Sequence, residues 1–151
     1  YLNLTIVELV GFAGMAAGGL LLGVWGGFRS RTATLLTGIA ACGLLTVGLG
    51  LSQNFILYLG IMLFLGVAIT MAQTAVTTLV QERAEASMQG RVFGLTGAMY
   101  SGFLLLGMSV FGPLADKVSL PLLMILTGGA LALVALLFLL NKPFCKAPLP
   151  Q

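Results

Sequence analysis

Long stretches without any charged residue alternate with short polar segments along this chain. Charged side chains are absent from residues 9–28, 32–81, 92–115 and 118–141. About 20 helical residues cross the hydrocarbon core of a bilayer, which is about 30 Å thick. Three of the runs therefore fit one crossing each, and the longest run fits two. Their apolar residues are continuous rather than alternating, which favours helices over the strands of a membrane barrel.

The longest run contains one polar cluster, formed by Ser52, Gln53 and Asn54, which is typical of a turn between two helices. The pattern thus predicts an all-α integral membrane protein with a single membrane domain. Its five transmembrane helices are expected at about 6–28, 33–51, 55–80, 92–114 and 120–141, and a cytoplasmic tail follows at 142–151.

Composition and charge support this class and set the orientation. Hydrophobic residues make up 59% of the chain and charged residues only 7%, too few to cover a soluble surface. With five crossings, the first loop, the third loop and the tail share one face of the membrane. That face holds Arg29, Arg31, Arg83, Arg91, Lys142 and Lys146, and only Lys117 lies opposite. The positive-inside rule places the face with the six basic residues in the cytoplasm, with the N-terminus outside and the C-terminus inside.

Several classes of function find no support in the residues. The chain has no histidine and only two cysteines, and it contains no phosphate loop, nucleophile elbow or acid cluster with metal spacing. We therefore expect no enzyme activity, no cofactor, no bound metal and no nucleic-acid partner. Because the chain opens with Tyr1 and its predicted N-terminus is outside without a leader, we expect it to be a fragment of a larger membrane protein.

Glycine is frequent, with 21 residues, and most of it lies inside the predicted helices. In lipid, small residues at four-residue spacing let two helix backbones approach closely. Two such ladders overlap in the first helix and one opens the fourth helix. The glycines expected at helix contacts are Gly14, Gly18, Gly19, Gly23, Gly27, Gly90 and Gly94.

Three loop segments resemble the major facilitator superfamily of transporters. The first is GVWGGFRSRT from Gly23 to Thr32. The second comprises QER from Gln81 to Arg83 and QGRVFGL from Gln89 to Leu95, and the last is GPLADK from Gly112 to Lys117. They resemble, in this order, a cytoplasmic loop motif, the loop after the tenth helix and the turn before the last helix. Together they are most similar to the bacterial drug-efflux branch that includes the macrolide exporters.

The resemblance implies an incomplete C-terminal six-helix bundle, with the five crossings as helices eight to twelve of twelve. It also implies a bacterial inner-membrane protein that exports amphipathic drug-like compounds in exchange for protons by alternating access. Its partners would be the lipid bilayer, a small amphipathic substrate and the missing N-terminal half. The chain departs from the loop motif at Gly27, where an acid is usual, and at Phe28, where a base is usual. A charge relay through that acid is therefore not expected here.

Polar residues inside the predicted helices are the candidates for a substrate pathway. Glu8 is the only acid that could enter a span, where carboxylates often carry protons or cations, although a hydrated interface also explains it. The third helix carries a polar stripe, because residues about 100° apart place Thr70, Gln73, Thr74 and Thr77 on one face. This stripe either lines the pathway or bonds to a neighbouring helix. Tyr100 and Ser101 are either an aromatic wall with a hydroxyl or ordinary packing residues.

The loops supply candidates for a cytoplasmic gate. Arg29, Arg31, Arg83 and Arg91 could pair with Glu82 or Glu85, or they could act only as topology signals exposed to anionic lipid. A second hypothesis for the whole chain is a non-catalytic membrane accessory or assembly subunit, which needs close helix packing but no polar pathway. Solvent access to Gln73 would favour transport, and a dry helix contact there would favour assembly.

Overall fold

The structure is a computed structural model that describes residues 2–26 and 31–140. Five α-helices account for nearly all of this part: α1 Leu2–Trp25, α2 Arg31–Leu51, α3 Phe55–Arg83, α4 Gln89–Lys117 and α5 Leu120–Leu140. Each is long and apolar enough to cross a membrane. The predicted all-α membrane architecture with five long apolar helices is thereby confirmed. Gly27, Arg29, Lys142, Lys146 and the predicted tail lie outside the described residues.

Local chemistry accounts for where the helices begin and end. Helix α1 ends at Trp25, three residues before the predicted end of the span, because Gly26 adopts a φ of +71°, which favours glycine. Residues 52–54 separate α2 from α3, and Asn54 lies at the N-cap of α3 in an extended conformation. Helix α4 continues to Lys117, beyond the predicted end at residue 114, with Pro113 inside its last turns.

The helices pack in a row in the order α5, α2, α3, α1, and α4 contacts α3 only lightly. Glycines form the contacts between neighbours. A Cβ built on Gly18 of α1 would lie 2.9 Å from the Cα of Val67 in α3. A Cβ built on Gly43 of α2 would lie 2.6 Å from the backbone nitrogen of Ala132 in α5. Such approaches are possible only without a side chain, so van der Waals contact between backbones holds this row together.

Candidate functional site

The polar stripe of α3 begins inside a helix contact. The hydroxyl of Thr70 is partly buried and donates to the backbone oxygen of Met15 in α1 at 3.2 Å and to that of Gly66 at 3.0 Å. The bond to Met15 links α3 to α1 beside the close approach of Gly18. At Thr70 the stripe therefore joins two helices.

One turn further along α3, the stripe leaves the contact with α1. Gln73 and Thr77 are both exposed. Thr77 donates only to the backbone oxygen of Gln73 in its own helix, at 2.9 Å, and the Gln73 side chain has no hydrogen bond within the described residues. Within the predicted stripe, Thr70 thus joins two helices, whereas no described helix covers Gln73 or Thr77.

Thr74 faces a different space, a small cavity of about 170 Å³ between the ends of α1, α2 and α3. Thr34, Thr74 and Thr78 provide polar lining, and Leu22 and Met71 provide apolar walls. Thr34 is buried, with 4% of its surface exposed. Sequence reasoning missed Thr34, because a threonine carries no charge and does not interrupt an apolar run.

The Arg31 side chain borders this cavity and joins three helix ends. Its Nε lies 3.2 Å from Oε1 of Glu82 at the end of α3, and its Nη1 donates to the backbone oxygen of Gly26 after α1 at 3.1 Å. The two charged side chains remain 43% and 34% exposed, so the pair is worth at most about 1 kcal/mol in stability. Together, the ion pair and the bond to Gly26 link the ends of α1, α2 and α3 at this end of the bundle.

The other charged candidates of the loops make no such link. Arg83 and Arg91 are exposed, and neither has an ion-pair partner in residues 2–26 or 31–140. Glu85 is also exposed, and only its backbone oxygen accepts hydrogen bonds, from Met88 and Gln89. Among the predicted gate residues that the structure describes, only Arg31 and Glu82 are brought into contact.

The remaining pathway candidates lie apart from the α3 stripe. Glu8 is exposed on α1, and Tyr100 and Ser101 are exposed on α4. No hydrogen bond or ion pair within the described residues connects any of the three to Gln73. Their assignment to a pathway stays a prediction.

The predicted packing glycines fall into two groups. Gly14 and Gly18 are buried against α3. A Cβ built on the others would meet no atom within 4 Å; these are Gly19, Gly23, Gly90 and Gly94. A helix contact at this second group stays a prediction.

Five apolar helices, four of which pack through glycine, with the described charges confined to helix ends apart from Glu8, define a multi-pass α-helical membrane protein. Comparison with known proteins then gives its relatives. The chain is 28% identical to macrolide efflux protein A of Streptococcus pyogenes over 136 residues, which are 89% of this chain and 34% of that protein. It is 32% identical to macrolide efflux protein A of Enterococcus faecalis over 101 residues, which are 66% of this chain and 31% of that protein.

The resemblance to the branch that includes the macrolide exporters, read from the loop motifs, is thereby confirmed, and the chain is similar to a part of these macrolide efflux proteins. It spans about a third of the length of these curated relatives. No family model matches the chain. No solved structure matches it either.

Proposed function

We propose that this chain is part of a secondary transporter that exports amphipathic drug-like compounds across the bacterial inner membrane. The observation that carries the proposal is the similarity to two macrolide efflux proteins, of which one matches 89% of the chain. In the whole transporter, this bundle would rock against the half that lies outside the chain, so that the substrate site opens to each side in turn.

The uncovered part of the α3 stripe supports a polar pathway. A side-chain amide that faces lipid without a hydrogen-bond partner is costly, by about 1–3 kcal/mol on the scale of protein mutations. Gln73 lies within the 29-residue apolar helix α3 and is not covered by any described helix. The cost is avoided if Gln73 and Thr77 face water or substrate between the two halves of the transporter. The bond of Thr70 to Met15 instead fits a role in helix assembly.

The Arg31–Glu82 pair supports an inner gate at the end of the same helix. Arg31 links the start of α2 to the end of α3 and to Gly26, next to the cavity that Thr74 lines. The pair would hold these three helix ends as a unit while the bundle moves. With the predicted orientation, this end faces the cytoplasm and the N-terminus lies outside.

Proton exchange is the driving force that we propose, with Glu8 as the carboxylate that would carry the proton. Glu8 is the only acid of the chain that lies within a predicted span, and it lies toward the opposite end of the bundle from Glu82. An intramembrane carboxylate can release and rebind a proton as its access to water changes. Substitution of Glu8 by glutamine keeps the shape of the side chain and removes the titratable group.

An efflux assay on the whole transporter tests the pathway. Bacteria that express it are loaded with a labelled macrolide, and the retained label is followed with and without a protonophore. We expect Gln73→Ala to slow export while the amount of protein in the membrane stays unchanged. Gln81→Ala is the matched control, because Gln81 is an exposed glutamine at the end of the same helix. Full export by Gln73→Ala would contradict the proposed pathway, and absence of any export by the unmodified transporter would contradict the proposed function.

A further inference from the structure

The cavity between the ends of α1, α2 and α3 has a lining with one sign of charge. Its volume is about 170 Å³, and Arg31 is the only charged side chain among the described residues that line it. Thr34, Thr74 and Thr78 add hydroxyl groups to the lining, and the Glu82 carboxylate pairs with Arg31 from outside the lining. A cavity that is lined by a cation and by no acid favours an anion over a cation.

The Arg31 guanidinium has hydrogen-bond donors left for such an anion. It carries five N–H groups, of which one donates to Glu82 and one to the backbone oxygen of Gly26. The remaining three have no acceptor within residues 2–26 and 31–140. The side chain is 43% exposed, so a ligand can reach it. A planar fork of N–H groups matches two oxygens of a phosphate group, which makes a phosphate the best-suited anion.

The rest of the lining agrees with a phosphate that is attached to carbon. The hydroxyl of Thr78 donates to the backbone oxygen of Thr74 at 2.8 Å, whereas the hydroxyl of Thr74 has no partner within the described residues and can donate to a phosphate oxygen. Leu22 and Met71 form apolar walls. Such walls suit the carbon atoms of an esterified phosphate better than the water shell of a free ion.

The depth of Arg31 in the membrane indicates where the phosphate comes from. Helix α2 begins at Arg31 and has 21 residues, so at 1.5 Å per residue it is about 32 Å long. This length matches the hydrocarbon core of a bilayer, which is about 30 Å thick. Arg31 therefore lies at the boundary where phospholipids carry their phosphates, and basic pockets between membrane helices bind lipid headgroups.

We propose that this cavity binds the phosphate group of a membrane phospholipid, with Arg31 and the Thr74 hydroxyl as donors. Arg31 keeps its bonds to Glu82 and to the backbone oxygen of Gly26 while it holds the phosphate. The bound lipid thereby becomes part of the contact among the ends of α1, α2 and α3. The site is separate from the proposed substrate pathway at Gln73, and its occupation does not require export.

Lipid binding to the whole transporter tests the proposal. The protein is purified in detergent, phosphatidylglycerol is titrated, and bound lipid is counted by native mass spectrometry. We expect Arg31→Gln to weaken the binding of one lipid by about tenfold, because it removes charge-assisted hydrogen bonds to the phosphate. Diacylglycerol with the same acyl chains lacks the phosphate, so its binding should be weaker and independent of Arg31.

Two further variants separate a phosphate contact from loss of the ion pair. Glu82→Gln removes the ion pair but keeps Arg31 and takes away a competing carboxylate, so we expect it to bind phosphatidylglycerol no more weakly than the unmodified transporter. Arg83→Gln is the matched control, because Arg83 is an exposed arginine at the end of α3 without an ion pair within the described residues. Its lipid binding should be unchanged.

Three outcomes would overturn the proposal. They are equal binding by Arg31→Gln and the unmodified transporter, an equal loss in Arg31→Gln and Glu82→Gln, and diacylglycerol binding as tight as that of phosphatidylglycerol. Inorganic phosphate is titrated separately by calorimetry; if it binds through Arg31 and phosphatidylglycerol does not, the ligand is a free ion and the lipid assignment is wrong. None of these measurements depends on export, so failure of the transport assay and failure of this site are distinguishable.

Discussion

Replacement of Gly66 by alanine should force α1 and α3 apart. Gly66 is buried at the centre of the contact between these helices. The added Cβ would lie 2.7 Å from the backbone oxygen of Gly11 and 2.8 Å from the backbone nitrogen of Met15. Both neighbours belong to the α1 backbone, so no rotation of a side chain can relieve the clash.

The structure sets the scale of the effect. Ordinary contact begins at 3.4 Å, so α1 must retreat by about 0.7 Å from a Cβ that lies 2.7 Å from Gly11. Overpacking of this kind costs about 1–3 kcal/mol. The displacement also lengthens the bond from Thr70 to the backbone oxygen of Met15, which is already 3.2 Å. We therefore expect the unfolding equilibrium constant to rise by about tenfold, which corresponds to about 1.4 kcal/mol.

Reversible unfolding in mixed micelles, with helix content followed as the fraction of SDS increases, measures this free energy. Gly60→Ala is the matched control, because Gly60 lies on the same helix and a Cβ there would meet nothing within 4 Å. We expect Gly66→Ala to unfold at a lower SDS fraction and Gly60→Ala to unfold no earlier than the unmodified protein. If the two variants unfold together, backbone contact at Gly66 does not hold α1 against α3.

Three further predictions concern the polar residues. Thr70→Val removes the bond to α1 with little change in shape and should destabilise the protein by about 1 kcal/mol in the same unfolding assay; an unchanged midpoint would contradict a role in joining the helices. Arg31→Glu places two carboxylates together and should impair export, and the double variant with Glu82→Arg, which reverses the ion pair, should restore part of it. Arg83→Ala is the control and should export normally, because Arg83 has no ion pair within the described residues. Absence of rescue in the double variant would argue against the gate. Glu8→Gln should abolish the dependence of export on the proton gradient, and retained sensitivity to a protonophore would exclude Glu8 as the proton carrier.

The charged loops and the polar stripe show how much of the candidate site could be predicted from the sequence. The charged loops indicated that Arg31 could pair with an acid at the end of the third helix, and the structure brings it to Glu82 rather than Glu85. Periodicity placed Thr70 and Gln73 on one face. It could not say that α1 covers only the first of them, because that depends on where two helices cross.

The sequence by itself determined the all-α class, the five crossings and the polar breaks between them. A bilayer permits few alternatives, since every backbone polar group in lipid must be bonded internally and only apolar runs of sufficient length can cross. Only the tertiary structure decided which glycines act as contacts. Gly18 and Gly94 have the same chemistry and the same spacing in the chain, yet α3 covers one, and no described helix covers the other. Packing in lipid depends on the shape of the partner rather than on burial from water, and the partner's shape is not encoded in the helix that it covers.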